Sequence, residues 1–196
     1  MELIAIDDPS VIDRSVEVLR AGGVVMHPTE TCYGLAVDVF NEQALKKLYR
    51  VKGMSLDKPV SVMVDGIGMA KEYGIFSDKA FELSKGFWPG ALSILVPRKR
   101  FLPDFLNRGS NFVSIRYSSD SYCQDLVEAF GSPVTTTSAN ITTEPQLYSV
   151  DPSNEFLKRV DLVVDGGEIS KNQPSTIVKV DGDNLEVLRQ GSVVVE

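Results

Sequence analysis

A chain of 196 residues, 43% of them apolar, is long enough to bury one hydrophobic core. Its 20 basic and 27 acidic residues give a net charge of −7. This balance argues against a broad nucleic-acid-binding surface, because such surfaces neutralise phosphates with lysine and arginine. We therefore expect a single domain over residues 1–196 and weak or no direct binding of nucleic acid, while a local cationic pocket remains allowed.

The cysteines and the N-terminal residues indicate the cellular compartment of the protein. Cys32 and Cys123 are far apart and have neither zinc-site nor disulfide-framework spacing. The N-terminal residues lead directly into Asp7 and Asp8, without a basic segment or an apolar run long enough to cross a bilayer. We expect a cytoplasmic protein that does not enter a membrane and that supplies no metal ligands of its own.

Helical and strand patterns alternate along the chain. Asp8 or Ser10 can cap a first helix that ends at Gly22, and Asn41 and Ser77 can cap two more. Apolar and β-branched runs predict strands at 24–26, 59–64, 92–96, 113–116, 134–136 and 162–164. Two further helices are predicted at 121–130 and 152–159, and a hairpin at 176–180 and 185–188. This alternation predicts an α/β fold.

Four separated segments could together form a pocket for a nucleoside triphosphate without a P-loop. They are the turn 28–35, the cationic stretch 52–58, the strand end 114–116 and the loop 135–140. Small hydroxyl residues and glycine permit close approach to a ligand, and lysine and arginine bind its anionic groups. Each segment alone also fits an ordinary tight turn, a solvated charged face, a surface ion pair or a polar loop.

Two residues that occur once each are interpreted as structural. His27 is the only histidine, so it cannot build a metal cluster, and no nucleophile partner for a hydrolase triad is identifiable. Trp88, the only tryptophan, is predicted to belong to the core and to the turn around it. The pair Gly166-Gly167 lacks the context of a Walker or Rossmann motif.

The order of the motifs adds a resemblance. The chain contains PTETCYGL at 28–35, KGM at 52–54, FWPG at 87–90, SIR at 114–116 and TSAN at 137–140, followed by STIV and LRQG. From about Val24 to Gly191 it resembles the YrdC/TsaC family of threonylcarbamoyl-AMP synthases. The resemblance implies a YrdC-like, DHBP synthase-like fold, which is a single α/β domain with a twisted, mostly mixed sheet, flanking helices and a concave positively charged groove.

The resemblance also implies a reaction. Members of the family are nucleotidyltransferases that convert ATP, L-threonine and bicarbonate or CO₂ into L-threonylcarbamoyladenylate and pyrophosphate. Mg²⁺ is expected with ATP, held mainly by the nucleotide and by water. The product would pass to the tRNA threonylcarbamoyl transferase machinery, which modifies a tRNA adenosine.

Matching the motifs residue by residue implies roles for individual side chains. The residues implied to bind L-threonine are Thr31, Arg116, Thr136 and Ser175. Those implied to bind ATP are Lys52, Lys58, Ser138, Asn140 and Arg189. Of these, Lys52, Ser138 and Asn140 are the implied catalytic residues.

Two positions depart from the family pattern. Met54 stands where the motif has arginine, and a thioether cannot replace a charged guanidinium at phosphate oxygens. Lys58, Arg50 or Mg²⁺ would then carry more of the triphosphate charge, or the activity is altered. Met63 stands where many relatives have histidine beside the threonine ligand.

Two other functions remain open from the sequence. One is a non-catalytic or RNA-binding module, which the loss of a motif cation at Met54 would suit but which the acidic balance of the chain opposes. The other is a carbamoyl-adenylate-forming relative that uses carbamoyl phosphate. The domains of that second group usually belong to much longer chains.

Overall fold

The computed structural model describes residues 1–195. Its strands are β1 Glu2–Ala5, β2 Val25–His27, β3 Gly34–Ala36, β4 Ser61–Met63, β5 Leu92–Pro97, β6 Phe112–Arg116, β7 Val134–Ser138, β8 Leu162–Asp165, β9 Thr176–Asp181 and β10 Asn184–Arg189. Its helices are α1 Val11–Arg20, α2 Glu42–Lys52, α3 Ile67–Tyr73, α4 Asp78–Phe87 and α5 Ser121–Phe130, and a 3₁₀ helix spans Glu155–Arg159.

All ten strands join in one sheet, in the order β1-β8-β2-β3-β7-β4-β6-β5-β9-β10. The sheet is mixed. The pairs β1–β8, β2–β8, β4–β6 and β5–β9 are parallel, and the other neighbours are antiparallel. The predicted α/β fold with a mixed sheet and flanking helices is confirmed.

Successive residues of the central strands contribute to different apolar clusters. In β2, Val25 belongs to one cluster and Met26 to the other, and in β4 Val62 and Met63 divide in the same way. Side chains alternate between the two faces of a strand, so the sheet has a core on each face. Apolar residues of α1 and α5 belong to the cluster that contains Val25 and Met63. Those of α2 and α4 belong to the cluster that contains Met26 and Val62.

The helix ends follow the capping residues in two of three cases. The side chain of Asn41 accepts hydrogen bonds from the amides of Gln43 and Ala44 at the start of α2. Ser77 accepts one from Ala80 at the start of α4. Ser10 makes no such bond, because its own amide and hydroxyl both donate to the Asp8 carboxylate. The alternative capping residue, Asp8, thus organises the turn that leads into α1.

Several elements differ from the prediction. The short strands β1 and β3 and the helix α3 were not predicted, and the strand predicted over 59–64 is paired only at Ser61–Met63. The helix predicted over 152–159 is the five-residue 3₁₀ helix, whose first turn is capped by Asn154. It begins three residues later than predicted, because the Asp151 carboxylate accepts hydrogen bonds from the amide and the hydroxyl of Ser153 and holds the preceding residues in a turn. These elements are too short for periodicity to identify.

Trp88 lies in a turn, as predicted, but it is partly buried against the core and is not inside it. The indole Nε1 donates a hydrogen bond to the backbone oxygen of Leu92 at 2.7 Å, and the ring packs edge-on against Phe76. The turn therefore holds the end of α4 against the start of β5.

Candidate functional site

A small cavity of about 180 Å³ lies against the strands in the middle and at one side of the sheet. This is below the range of about 300–1,000 Å³ for pockets that hold drug-sized ligands, so the cavity suits a small molecule or one part of a larger one. Most of the predicted site residues line it, namely Thr31, Arg116, Thr136, Ser138, Ser175 and Arg189.

Strand pairing explains why residues distant in sequence meet here. Gly34 of β3 pairs with Ser138 of β7, and Thr136 of β7 pairs with Ser61 of β4. Farther along the sheet, Ser93 of β5 pairs with both Arg116 of β6 and Ile177 of β9, and Ile177 pairs with Arg189 of β10. These partners all line the cavity. The register of the sheet thus brings the site together.

The last residue of β6, Arg116, is the buried cation of the site. Its Nη2 donates to the hydroxyl of Thr31 at 3.2 Å and forms an ion pair of 3.0 Å with Glu30. Its Nε is buried and has no hydrogen-bond partner within residues 1–195. Glu30 in turn accepts hydrogen bonds from the hydroxyl of Ser118 and the amide of Ser119. The guanidinium is therefore fixed through Nη2, by Thr31 on the cavity side and by Glu30.

The second cation at the cavity is Arg189, the last residue of β10. Its Nε and Nη2 donate to the backbone oxygen of Ser175, and Nη2 also donates to the Ser175 hydroxyl at 2.9 Å. It forms no salt bridge with a carboxylate in the described part of the chain. Partial burial and the nearby positive charge of Arg116 lower the pKa of Arg189. Either effect is relieved by a bound anion.

The predicted catalytic residues form a separate cluster beside the cavity. Lys52, the last residue of α2, is only 4% exposed. Its Nζ donates to the backbone oxygens of Ser138 and Asn140 and, at 3.1 Å, to the side-chain oxygen of Asn140. The Ser138 hydroxyl donates to that same side-chain oxygen at 2.6 Å. Burial lowers the pKa of Lys52 to about 8.

The remaining members of the cationic stretch lie elsewhere. Lys58 is exposed and is not among the lining residues, although Pro59, Val60 and Ser61, which follow it, are. Met54 and Arg50 line a different surface cavity on the outer side of α2, together with Tyr49. The structure therefore does not bring Arg50 to the site as a substitute for the missing arginine.

Met63, the second residue that differs from the family pattern, also lies outside the cavity lining. It is 1% exposed and packs in the apolar cluster that contains Val25, Ala36 and Val134. Its neighbour two residues earlier, Ser61, lines the cavity. Ser61 is thus the last residue of β4 that lines the cavity, and Met63 belongs to the apolar core.

Several lining residues were missed from the sequence. Ser61 and Ser93 present hydroxyls from strands that were interpreted only as core, and Gln146 reaches the cavity from an irregular loop. Small polar residues inside otherwise apolar strands were the available signal for the two serines. Cys32 also lines the cavity, and burial raises the pKa of its thiol.

His27 lies behind this surface and is completely buried. Its Nδ1 donates to the backbone oxygen of Pro28 at 2.9 Å, and its Nε2 has no hydrogen-bond partner among the described residues. Burial lowers the pKa of His27 to about 4. The imidazole is therefore neutral near pH 7, and its contacts are those of a structural residue.

Residues 1–195 contain no group of three or more His, Cys, Asp or Glu side chains arranged to hold a metal ion. Within the same range, every helix is too short or too polar to cross a membrane.

Comparison with known proteins identifies the family. The model of the Sua5/YciO/YrdC family, described as "Telomere recombination", matches residues 17–191. A Methanocaldococcus jannaschii protein is 32% identical over 181 residues, which are 92% of this chain and 84% of that protein. The threonylcarbamoyl-AMP synthase of Bacillus subtilis is 32% identical over 199 residues, covering 98% of this chain and 56% of the relative.

Solved structures give the same result. The structure of Pyrococcus abyssi Sua5 in complex with L-threonine has a TM-score of 0.89 and 26% identity, with 97% of this chain and 57% of that chain covered. Escherichia coli YciO has a TM-score of 0.86 and 25% identity, with 97% and 95% covered. The chain thus spans little more than half of Sua5 and of the Bacillus relative, but nearly all of YciO. Its sequence and its fold both show that the chain belongs to the Sua5/YciO/YrdC family.

Proposed function

We propose that this protein is an enzyme, a nucleotidyltransferase that makes L-threonylcarbamoyladenylate and pyrophosphate from ATP, L-threonine and bicarbonate or CO₂. The naming of several relatives as threonylcarbamoyl-AMP synthases supports this reaction. Further support comes from the bound L-threonine of P. abyssi Sua5, whose fold the chain shares.

The observation that carries the proposal is the charge of the cavity lining. The lining contains two arginines, Arg116 and Arg189, and no acidic residue among those described. The ammonium group of Lys52 lies just behind Ser138 of the same lining. Arg116 is paired with Glu30, whereas the exposed Arg189 and the buried Lys52 have no carboxylate partner among residues 1–195, so their positive charge can attract an anion to the cavity. The groove is therefore suited to hold anionic substrates, as the carboxylate of L-threonine and the phosphates of ATP require.

The two arginines have different tasks in this proposal. Arg116, which lines the cavity beside Thr31, would hold the carboxylate of L-threonine, with Thr136 and Ser175 around the amino acid. Arg189 would face the nucleotide. Lys52, Ser138 and Asn140 would hold the phosphate chain, and Lys58 would approach it from the exposed side.

The reaction needs orientation and charge stabilisation more than acid–base groups. The amine of threonine captures CO₂ as a carbamate, and a carbamate oxygen then attacks the α-phosphorus while pyrophosphate leaves. Holding two anions in line and stabilising the negative charge that develops on pyrophosphate can supply most of the acceleration. Lysine, arginine and hydroxyl groups suit that task, and no nucleophilic side chain is required.

Magnesium would enter this site with the nucleotide. Because the described residues offer no cluster of carboxylates for it, the phosphates and water would supply most of its ligands. When bound, Mg²⁺ would neutralise part of the phosphate charge. The product would pass to the tRNA threonylcarbamoyl transferase machinery.

The proposal is tested by measuring pyrophosphate release. The purified chain is incubated with ATP, Mg²⁺, bicarbonate and L-threonine, and parallel reactions omit one component each. We expect pyrophosphate release that requires L-threonine. Release at the same rate without threonine would indicate a simple ATP pyrophosphatase, and no release by the folded chain would favour a non-catalytic module.

A further inference from the structure

Glu30 lies on the protein side of Arg116, away from the cavity. It is not among the lining residues, whereas Arg116 is. One carboxylate oxygen pairs with Arg116 Nη2 at 3.0 Å and accepts the amide of Ser119, and the other accepts the hydroxyl of Ser118. Burial favours the protonated form of Glu30, but Arg116 and Ser118 outweigh it and hold its pKa below the ordinary value. Glu30 is therefore a fixed negative charge behind the guanidinium.

This arrangement makes the two arginines of the cavity electrostatically different. Arg116 carries a compensating carboxylate at its back, and its side chain is only 7% exposed. Arg189 has only the neutral oxygens of Ser175 as partners in the described part of the chain. A cation whose charge is largely compensated attracts a doubly charged phosphate less than a free cation does, while a planar guanidinium still matches one carboxylate.

We propose that Glu30 is a positioning and specificity-determining residue. It orients Arg116 through Nη2 and reduces the positive charge of that end of the cavity, so that a single carboxylate binds there in preference to a phosphate dianion. The inference rests on the proposed function, because it assumes that Arg116 receives the carboxylate of the amino acid. In this arrangement the amino acid binds at the Arg116 end of the cavity, and phosphates bind at the Arg189 end.

The role can be separated into orientation and charge. Glu30→Gln removes the charge but keeps a side chain of the same shape that Ser118 and Ser119 can still contact. Ser118→Ala keeps the charge but loosens the carboxylate. Glu128→Gln removes an equal charge from an exposed position on α5 and is the matched control.

The test measures the binding of L-threonine and of inorganic phosphate to each folded variant by calorimetry, and competition between the two. In the unsubstituted chain we expect phosphate not to displace threonine. In Glu30→Gln we expect the ratio of threonine affinity to phosphate affinity to fall by about tenfold or more, with phosphate now competing directly. Ser118→Ala should weaken threonine binding without admitting phosphate, and Glu30→Asp should restore much of the selectivity.

The outcomes distinguish this inference from the proposed reaction. An affinity ratio in Glu30→Gln within twofold of the unsubstituted chain and of Glu128→Gln would overturn the role of Glu30. If threonine binds and the ratio shifts as expected while no pyrophosphate is released, the role of Glu30 stands and the proposed reaction fails. If the unsubstituted chain does not bind threonine at all, both fail.

Discussion

Lys52 Nζ lies 3.1 Å from Oδ1 of Asn140, a residue 88 positions later in the chain. The contact joins the C-terminal end of α2 to the loop that follows β7, and two backbone oxygens complete the environment of the ammonium group. Ser138 donates to the same amide oxygen. These three residues thus form one hydrogen-bonded cluster at the edge of the cavity, although α2 and β7 are not adjacent in sequence.

Lys52→Ala should weaken both ATP binding and turnover. Removing a charge-assisted phosphate contact costs roughly 1.5–3 kcal/mol, and the oxygens of Ser138 and Asn140 would lose their buried donor. ATP affinity and the rate of pyrophosphate release measure the effect. Lys158→Ala, which removes an exposed lysine from a surface ion pair, is the control. ATP affinity and rate within twofold of the unsubstituted chain would show that the nucleotide site is elsewhere.

Arg116→Ala should raise the concentration of L-threonine needed for half-maximal rate and leave ATP affinity nearly unchanged. The proposed partner of Arg116 is the amino acid carboxylate, and its ion pair with Glu30 does not involve the nucleotide. Because removing one member of a buried ion pair can cost about 3–5 kcal/mol of folding free energy, unfolding is measured in parallel. Arg116→Lys retains the charge opposite Glu30. An equal loss of ATP affinity in both folded variants would contradict the assignment.

Met54→Arg provides a test of the departure from the family motif. In this structure Met54 lines the outer cavity with Arg50 and Leu56 and packs against the core, outside the lining of the central cavity. We therefore expect the rate of pyrophosphate release to stay within about twofold, since a charge screened by solvent on the far side of α2 adds little. A tenfold gain, equivalent to about 1.4 kcal/mol, would mean that the loop around Met54 turns toward the phosphates when ATP binds.

His27 should make the stability of the fold depend on pH. Its pKa is lowered to about 4 by burial, so the unfolded chain binds a proton at higher pH than the folded chain does. The stability associated with neutral His27 is therefore complete above about pH 6.5 and is lost as the pH falls toward 4, by roughly 3 kcal/mol in total.

Urea unfolding of the unsubstituted chain and of His27→Asn between pH 7 and 4.5 measures this contribution. The asparagine amide can still donate to the backbone oxygen of Pro28 but does not titrate. We expect the stability difference between the two proteins to shrink as the pH falls. Parallel pH profiles for the two proteins would show that the imidazole is not buried in its neutral form.

The sequence predicted the long elements and the polar residues at strand ends, and the reasons are physical. The helix α5 has the predicted bounds Ser121–Phe130, because a clear apolar face, the capping residue Asp120 and Gly131 define it locally. The strand β3 was missed because its three residues have no periodicity, and only pairing with β2 and β7 makes them a strand. Contacts between a loop and a distant strand, such as Glu30 with Arg116, could not be predicted from spacing.

Some site residues could likewise be predicted from the sequence, and others could not. Thr31 and Arg116 line one cavity as their motifs predicted, although their binding roles stay predictions. Ser61 and Ser93 were missed because the apolar strands around them indicated only a buried sheet. The position of Met54 on the outer side of α2 depends on how the chain leaves that helix at Gly53, which has a left-handed backbone conformation with φ of 57°.

The most direct test of the proposed function is the identification of the reaction product. The folded chain is incubated with ATP, Mg²⁺, L-threonine and carbon-13-labelled bicarbonate, and the products are analysed by mass spectrometry. We predict an adenylate that contains threonine and one labelled carbon, formed together with pyrophosphate and absent when L-threonine is omitted. An adenylate without the label, or pyrophosphate without any threonine-containing product, would contradict the proposed synthesis of threonylcarbamoyl-AMP.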